Sequence, residues 1–186
     1  NTQDPPGGEI ERDQEGNPTG LLKETAMGLV RRQVPDLTPA QRRRALELAL
    51  EEAAQHGVTS VQDNSSWQDF QVYEALKKEG KLTVRVTEWL PFTAPLGQLE
   101  QMRQRGGTSD PWLKTGALKG VVDGTLGSRT AAMLEPFADD AATRGILRIP
   151  EAELKKLAIE RDKAGFQIAL HAIGDAANRA ALDAIA

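Results

Sequence analysis

The sequence predicts an α/β fold, a parallel sheet covered by helices. Two observations carry this expectation. Short apolar runs rich in β-branched residues recur at "VTSVQD" (58–63), "LTVRVTEWLPF" (82–92), "ALKGVVDG" (117–124) and "FQIALHAI" (166–173). Between them lie stretches whose apolar residues recur at helical spacing. Strands alternating with amphipathic helices are the pattern of a parallel sheet with helical crossovers. Two architectures satisfy it, a (β/α) barrel and an open doubly wound sheet.

The elements follow in order. Residues 1–20 are rich in Gly, Pro, Asp and Asn, with "GNPTG" as a strong turn signal, and read as a loop or hairpin. "LLKETAMGLVRRQV" (21–34) has helical spacing and predicts a short helix, which "PDLTPAQ" breaks. Residues 1–37 are thus expected to lead into a main body of residues 38–186. The next helix has an explicit start: Thr38 as N-cap, Pro39 at the first helical position and Gln41 completing a capping box. It runs to His56 and stops at Gly57. Further helices are expected over 67–80, 95–107 and 150–165, and from Asp175 onward.

Composition excludes several classes. Of the 186 residues, 39% are hydrophobic and 27% charged, with a net charge of −4, so the basic balance of a nucleic-acid binder is missing. No apolar run approaches the roughly 20 residues needed to span a bilayer, and no signal peptide is visible, so a cytoplasmic location is expected. There is no cysteine, hence no disulfide and no thiolate metal site. "VQDNSSWQDF" carries no GxGxxG and the chain has no GxxxxGK[ST], which argues against nucleotide binding. The opening "NTQDPPGG" and the ending "RAALDAIA" both lack a natural boundary, so a piece of a longer protein is expected.

Ionisable residues stand at the ends of the four strands: Asp63, Glu88 beside Trp89, Asp123, and His171 followed by Asp175. In a barrel, chemistry sits where strands finish. Each residue also has a plainer role. Asp63 suits the N-cap of the next helix or a turn, and Asp175 a helix cap. His56 suits the C-terminus of a helix dipole, and His171 a core position satisfied by a carbonyl. Lys119 interrupts an apolar strand, where burying an unpaired ammonium is costly. Either it lies at an edge with its head in water, or it is converted by CO₂ to a carbamate, an anionic oxygen ligand.

"LKGVVDGTLGSRTAAMLEPFADD", followed about fifty residues later by "IALHAIGDAANRAALDA", resembles the amidohydrolase superfamily, in the branch called amidohydrolase family 3. "DPPGGEIERDQEGNPTGLLKETA" and "ALELALEEAAQHGVTSVQD" extend the resemblance over almost the whole chain. It implies a partial (β/α)8 TIM barrel, strands 2–5 with their helices, within a metal-dependent hydrolase holding one or two divalent metals, usually zinc. It further implies that Lys119, carboxylated, and His171 are metal ligands. The loop with Asp123, Ser128 and Arg129 would face substrate or brace the ligands, with Arg129 as a loop anchor the alternative. The implied substrate is a small amide or related C–N compound of N-acyl or N-formyl type, hydrolysed by metal-activated water. The family's first-strand His-x-His, sixth-strand histidine and eighth-strand aspartate are not in this sequence. The chain alone is therefore expected to be inactive, without tightly bound metal, and to self-associate through an open sheet. A non-catalytic α/β binding module is the other function the sequence allows.

Overall fold

The computed structural model describes residues 2–186. An antiparallel hairpin comes first, β1 (Gly8–Arg12) and β2 (Pro18–Glu24), paired from Gly8 opposite Glu24. Asp13 closes it, its Oδ1 accepting the N–H of Glu15 at 3.1 Å and of Asn17 at 2.7 Å. A single 3-10 turn (Thr25–Met27) and a four-residue helix α1 (Gly28–Arg31) follow. The helix expected over 21–34 is therefore corrected. Leu21–Glu24 belong to β2, because pairing with β1 overrides the local helical spacing.

The remaining elements alternate as the sequence predicts: α2 (Pro39–Gln55), β3 (Ser60–Asp63), α3 (Trp67–Lys78), β4 (Arg85–Pro91), α4 (Leu96–Gly106), β5 (Leu113–Val121), α5 (Glu151–Lys163), β6 (Ile168–His171) and α6 (Asp175–Ile185). The Thr38–Gln41 capping box forms in full, and a second one, Ser66–Asp69, opens α3. β5 begins four residues earlier than expected, at Leu113, since Lys114 and Gly116 obscure its apolar alternation.

The sheet order is β3-β4-β5-β6, and β3 to β5 are parallel. β6 joins parallel to β5: Leu118 donates to Gln167 at 2.8 Å and Val122 to His171 at 2.9 Å, an equal step in the same direction on both strands. The fold is thus α/β, with four consecutive parallel strands and helical crossovers, the arrangement of part of a (β/α)8 barrel. The outer strands β3 and β6 have only four residues each, the shortness that limits edge pairing. Of the apolar run "FQIALHAI", only Ile168–His171 forms the strand.

The chain forms two compact units. One comprises Asp36–Lys119 and Gly165–Ala169. Its core packs Leu50, Phe70, Tyr73 and Leu76 of the helices on Leu82, Val84, Val86 and Leu113. The other comprises the N-terminal part up to Pro35, Gly120–Ala164 and Leu170–Ala186, with α5 packed on α6. No helix of the described residues is long and apolar enough to cross a membrane.

Candidate active site

Lys119 owes its direction to an irregularity in β5. Glu88 pairs with Thr115 and Leu90 with Leu118, so three steps on β5 match two on β4. The extra residue is a β-bulge, which shifts the alternation of side chains by one. Leu113, Thr115 and Ala117 are buried on the helix-facing side, and after the bulge Leu118 takes that side instead. Without the bulge Lys119 would fall among the residues packed under the helices. With it, Lys119 is half-buried on the other face, paired with Pro91. No carboxylate of its own unit forms an ion pair with it among the described residues, so the side chain is not explained by a salt bridge.

His171 ends β6 in the second unit, half-buried. Its Nε2 lies 3.3 Å from the carbonyl oxygen of Gly124. The turn that follows is fixed by Asp123, which is fully buried. Asp123 Oδ1 accepts the N–H of Ile173 at 2.9 Å, and Oδ2 those of Gly174 and Ala132, both at 2.8 Å. Both oxygens of Asp123 are thereby engaged by backbone. A Cβ on Gly174 would overlap the Ala132 backbone, so only glycine allows this close approach. Gly174 is the N-cap of α6 and Asp175 its first residue, so Asp175 is not the cap the sequence suggested. Its carboxylate accepts the N–H groups of Leu134 and Ala176, each at 2.8 Å.

In the loop after β5, Ser128 Oγ lies 2.9 Å from Thr125 Oγ1 and 2.7 Å from Thr130 Oγ1. Arg129 has φ 54 and forks onto Asp139, at 3.3 and 3.0 Å. Both residues are exposed, and the ion pair gives Arg129 an anchoring contact of its own. Glu24, which sequence reading passed over, also holds this loop, accepting a hydrogen bond from Thr130 Oγ1 at 2.7 Å. No sequence signal marks it, because it lies in a stretch with helical spacing.

A separate polar cluster occupies the first unit at the ends of β3 and β4. Glu88 is 1% exposed, and its hydrogen-bond partner there is Ser65 Oγ, at 3.5 Å. Burial, with Asp63 and Asp69 nearby, pushes its carboxyl up to about 8. Ser65 Oγ and Tyr73 OH donate to Asp63 Oδ2 at 3.0 and 2.9 Å. Burial raises Asp69 less than the hydrogen bonds of Ser66 and Arg42 lower it, and Arg42 Nη1 sits 2.6 Å away. His56 is exposed at the end of α2 and pairs with Glu52, 2.8 Å away.

One imidazole and one lysine do not complete a four-coordinate centre. Among the described residues no group of three or more His, Asp or Glu is placed to hold a metal ion. These residues therefore do not by themselves fit the metal that the sequence resemblance implies.

The model of the amidohydrolase family matches residues 1–186. Protein LONG AFTER FAR-RED 3 of Arabidopsis thaliana is 37% identical over 98% of this chain and 33% of its own length. Putative amidohydrolase YtcJ of Bacillus subtilis is 35% identical over 100% of this chain and 35% of its own length. The crystal structure of an uncharacterized metal-dependent hydrolase from Pyrococcus furiosus superposes with a TM-score of 0.73 at 31% identity, covering 95% of this chain and 37% of that one. A counterpart from Pyrococcus horikoshii has the same TM-score at 27% identity. The chain spans about a third of the length of the curated relatives it matches.

Proposed function

We propose a function from one premise: the chain belongs to the amidohydrolase family. In this proposal it forms part of a metal-dependent hydrolase that cleaves amide or other C–N bonds in small N-acyl or N-formyl compounds. A divalent metal, zinc in one or two copies, is held in the whole protein by Lys119 as its carbamate, by His171, and by donors outside this chain. The chain on its own is inactive and associates with other copies through its open sheet. The observation that carries the reading is the β5 bulge. It turns a lysine with no ion-pair partner in its unit away from the helix-packed face, near the C-terminal end of a parallel strand. A metal bound there would supply Lewis-acid polarisation of the scissile carbonyl. Asp123 shapes the site by fixing the turn after His171.

Lys119→Ala and His171→Ala in the whole protein test this. Each should lower metal content, measured by elemental analysis. Each should also reduce hydrolysis of a panel of N-acyl and N-formyl amino acids by more than about 100-fold, since even groups behind a ligand are worth 10–100-fold. Wild-type metal content and turnover in either variant removes that residue from the site. Absence of hydrolysis by the wild type across the panel removes the substrate class.

A further inference from the structure

We propose that Glu24 is the positioning residue of the loop that follows β5, and that through this loop it sets the imidazole of His171 with its proton on Nε2. Glu24 ends β2 with φ 51 and ψ −123, a backbone region that suits glycine. Such a conformation is costly for a residue with a side chain and persists where its surroundings demand it. The non-glycine residues with positive φ among those described are Glu24 and Arg129. One grips the loop from outside and the other lies within it.

The side chain shows what the strain secures. The Glu24 side chain is 11% exposed, with Oε2 3.3 Å from Arg148 Nη1. Oε1 accepts the Thr130 hydroxyl at 2.7 Å. A carboxylate paired with arginine only accepts, so the proton directions along the loop follow. Thr130 gives its proton to Glu24, and therefore accepts from Ser128 Oγ at 2.7 Å and from the Thr125 N–H at 3.0 Å. Ser128, its proton spent on Thr130, accepts from Thr125 Oγ1 at 2.9 Å. The Thr130 carbonyl in turn accepts the N–H of Gly124 at 3.2 Å and of Ile146 at 3.1 Å. A Cβ on Gly124 would overlap the Thr130 hydroxyl and Glu24 Oε1, so the fit admits glycine alone. Gly124 is thus held on one side by this network and presents its carbonyl to His171 Nε2 at 3.3 Å. A carbonyl accepts only, so Nε2 carries the proton and Nδ1 keeps its lone pair free.

The inference deepens the proposed role of His171 but is read without metal or substrate, so either can fail while the other stands. The chain has two histidines, which makes their nitrogens assignable with His56→Gln. In a long-range ¹H–¹⁵N correlation spectrum at about pH 8.5, where an ordinary imidazole is neutral, His171 should show the Nε2–H tautomer. Glu24→Ala and Glu24→Gly should move it toward a tautomer mixture. They should also speed hydrogen exchange of the Gly124, Thr125 and Ile146 amides by about tenfold or more, as loss of local protection implies. Glu24→Gln keeps an acceptor oxygen and should restore both signals. Thr130→Val removes the same hydrogen bond without touching the strained residue, and should reproduce the loop signature even if the Glu24 variants fold poorly. Glycine suits φ 51 better than glutamate. A Glu24→Gly or Thr130→Val chain with unchanged loop exchange and an unchanged His171 spectrum would overturn the proposal, as would an Nδ1–H tautomer in the wild type.

Discussion

Asp123 and Glu88 are both buried carboxylates near strand ends, one in each compact unit, 0% and 1% exposed. Asp123 accepts three backbone N–H groups within 2.9 Å. Glu88 has a single hydroxyl at 3.5 Å and two carboxylate neighbours, Asp63 and Asp69. Burial alone does not decide what a carboxyl becomes. Where the backbone supplies donors, the carboxylate organises the chain around itself. Where it does not, the group retains its proton into neutral pH.

The largest expected effect comes from deleting the better-served group. Asp123→Ala strands three buried N–H donors, and each unsatisfied donor costs about 1–3 kcal/mol. Urea denaturation at pH 7 should show a loss of roughly 3 kcal/mol or more. Glu88→Gln replaces a neutral acid by a neutral isostere and should stay within about 1 kcal/mol of the parent at the same pH. Equal losses in the two variants would break the contrast.

The next effect is pH dependence, which belongs to Glu88. Its folded value is raised from 4.5 to about 8, so between those limits the folded state binds more protons than the unfolded one. Stability from this group is full below about pH 4.5, declines as pH rises, and is gone above about pH 8. The total is on the order of a few kcal/mol, at most about 1.4 kcal/mol per pH unit. Glu88→Gln should flatten the decline in denaturation midpoints measured from pH 5 to 9. An unaltered slope would show that the Glu88 carboxyl is not raised by its burial and does not carry the pH dependence.

How much of this the sequence discloses depends on how local the cause is. The start of α2 is legible because Thr38, Pro39 and Gln41 form the cap among themselves. The strands are legible because alternation is a property of each strand alone. Lys119 and His171 stand out as polar residues in apolar runs. The bulge that aims Lys119 is not legible, because it exists only in the register of β5 against β4. Whether Asp123 faces substrate or backbone is hidden for the same reason: its donors lie 9, 50 and 51 residues away. Glu24 is hidden more deeply, since its stretch has helical spacing and becomes a strand only by pairing with Gly8–Arg12.

The smallest effect sharpens the contrast most. Ser65 Oγ is the hydroxyl that favours the ionised form of Glu88, and its shorter bond is to Asp63, at 3.0 Å. Ser65→Ala removes both contacts, but Asp63 keeps the Tyr73 hydroxyl at 2.9 Å. Ser65 is exposed, so water can replace what is lost on its side. The stability change should therefore be about 1 kcal/mol or less. The direction of the pH response is more telling than its size. With the hydroxyl gone, the charged form of Glu88 loses support, and the carboxyl ¹³C titration of Glu88 should move to higher pH. A move to lower pH would mean that Ser65 had been holding the protonated acid. A loss comparable to that of Asp123→Ala would mean that one long hydrogen bond secures Glu88 as firmly as three backbone donors secure Asp123. The two carboxylates would then no longer be examples of different burial.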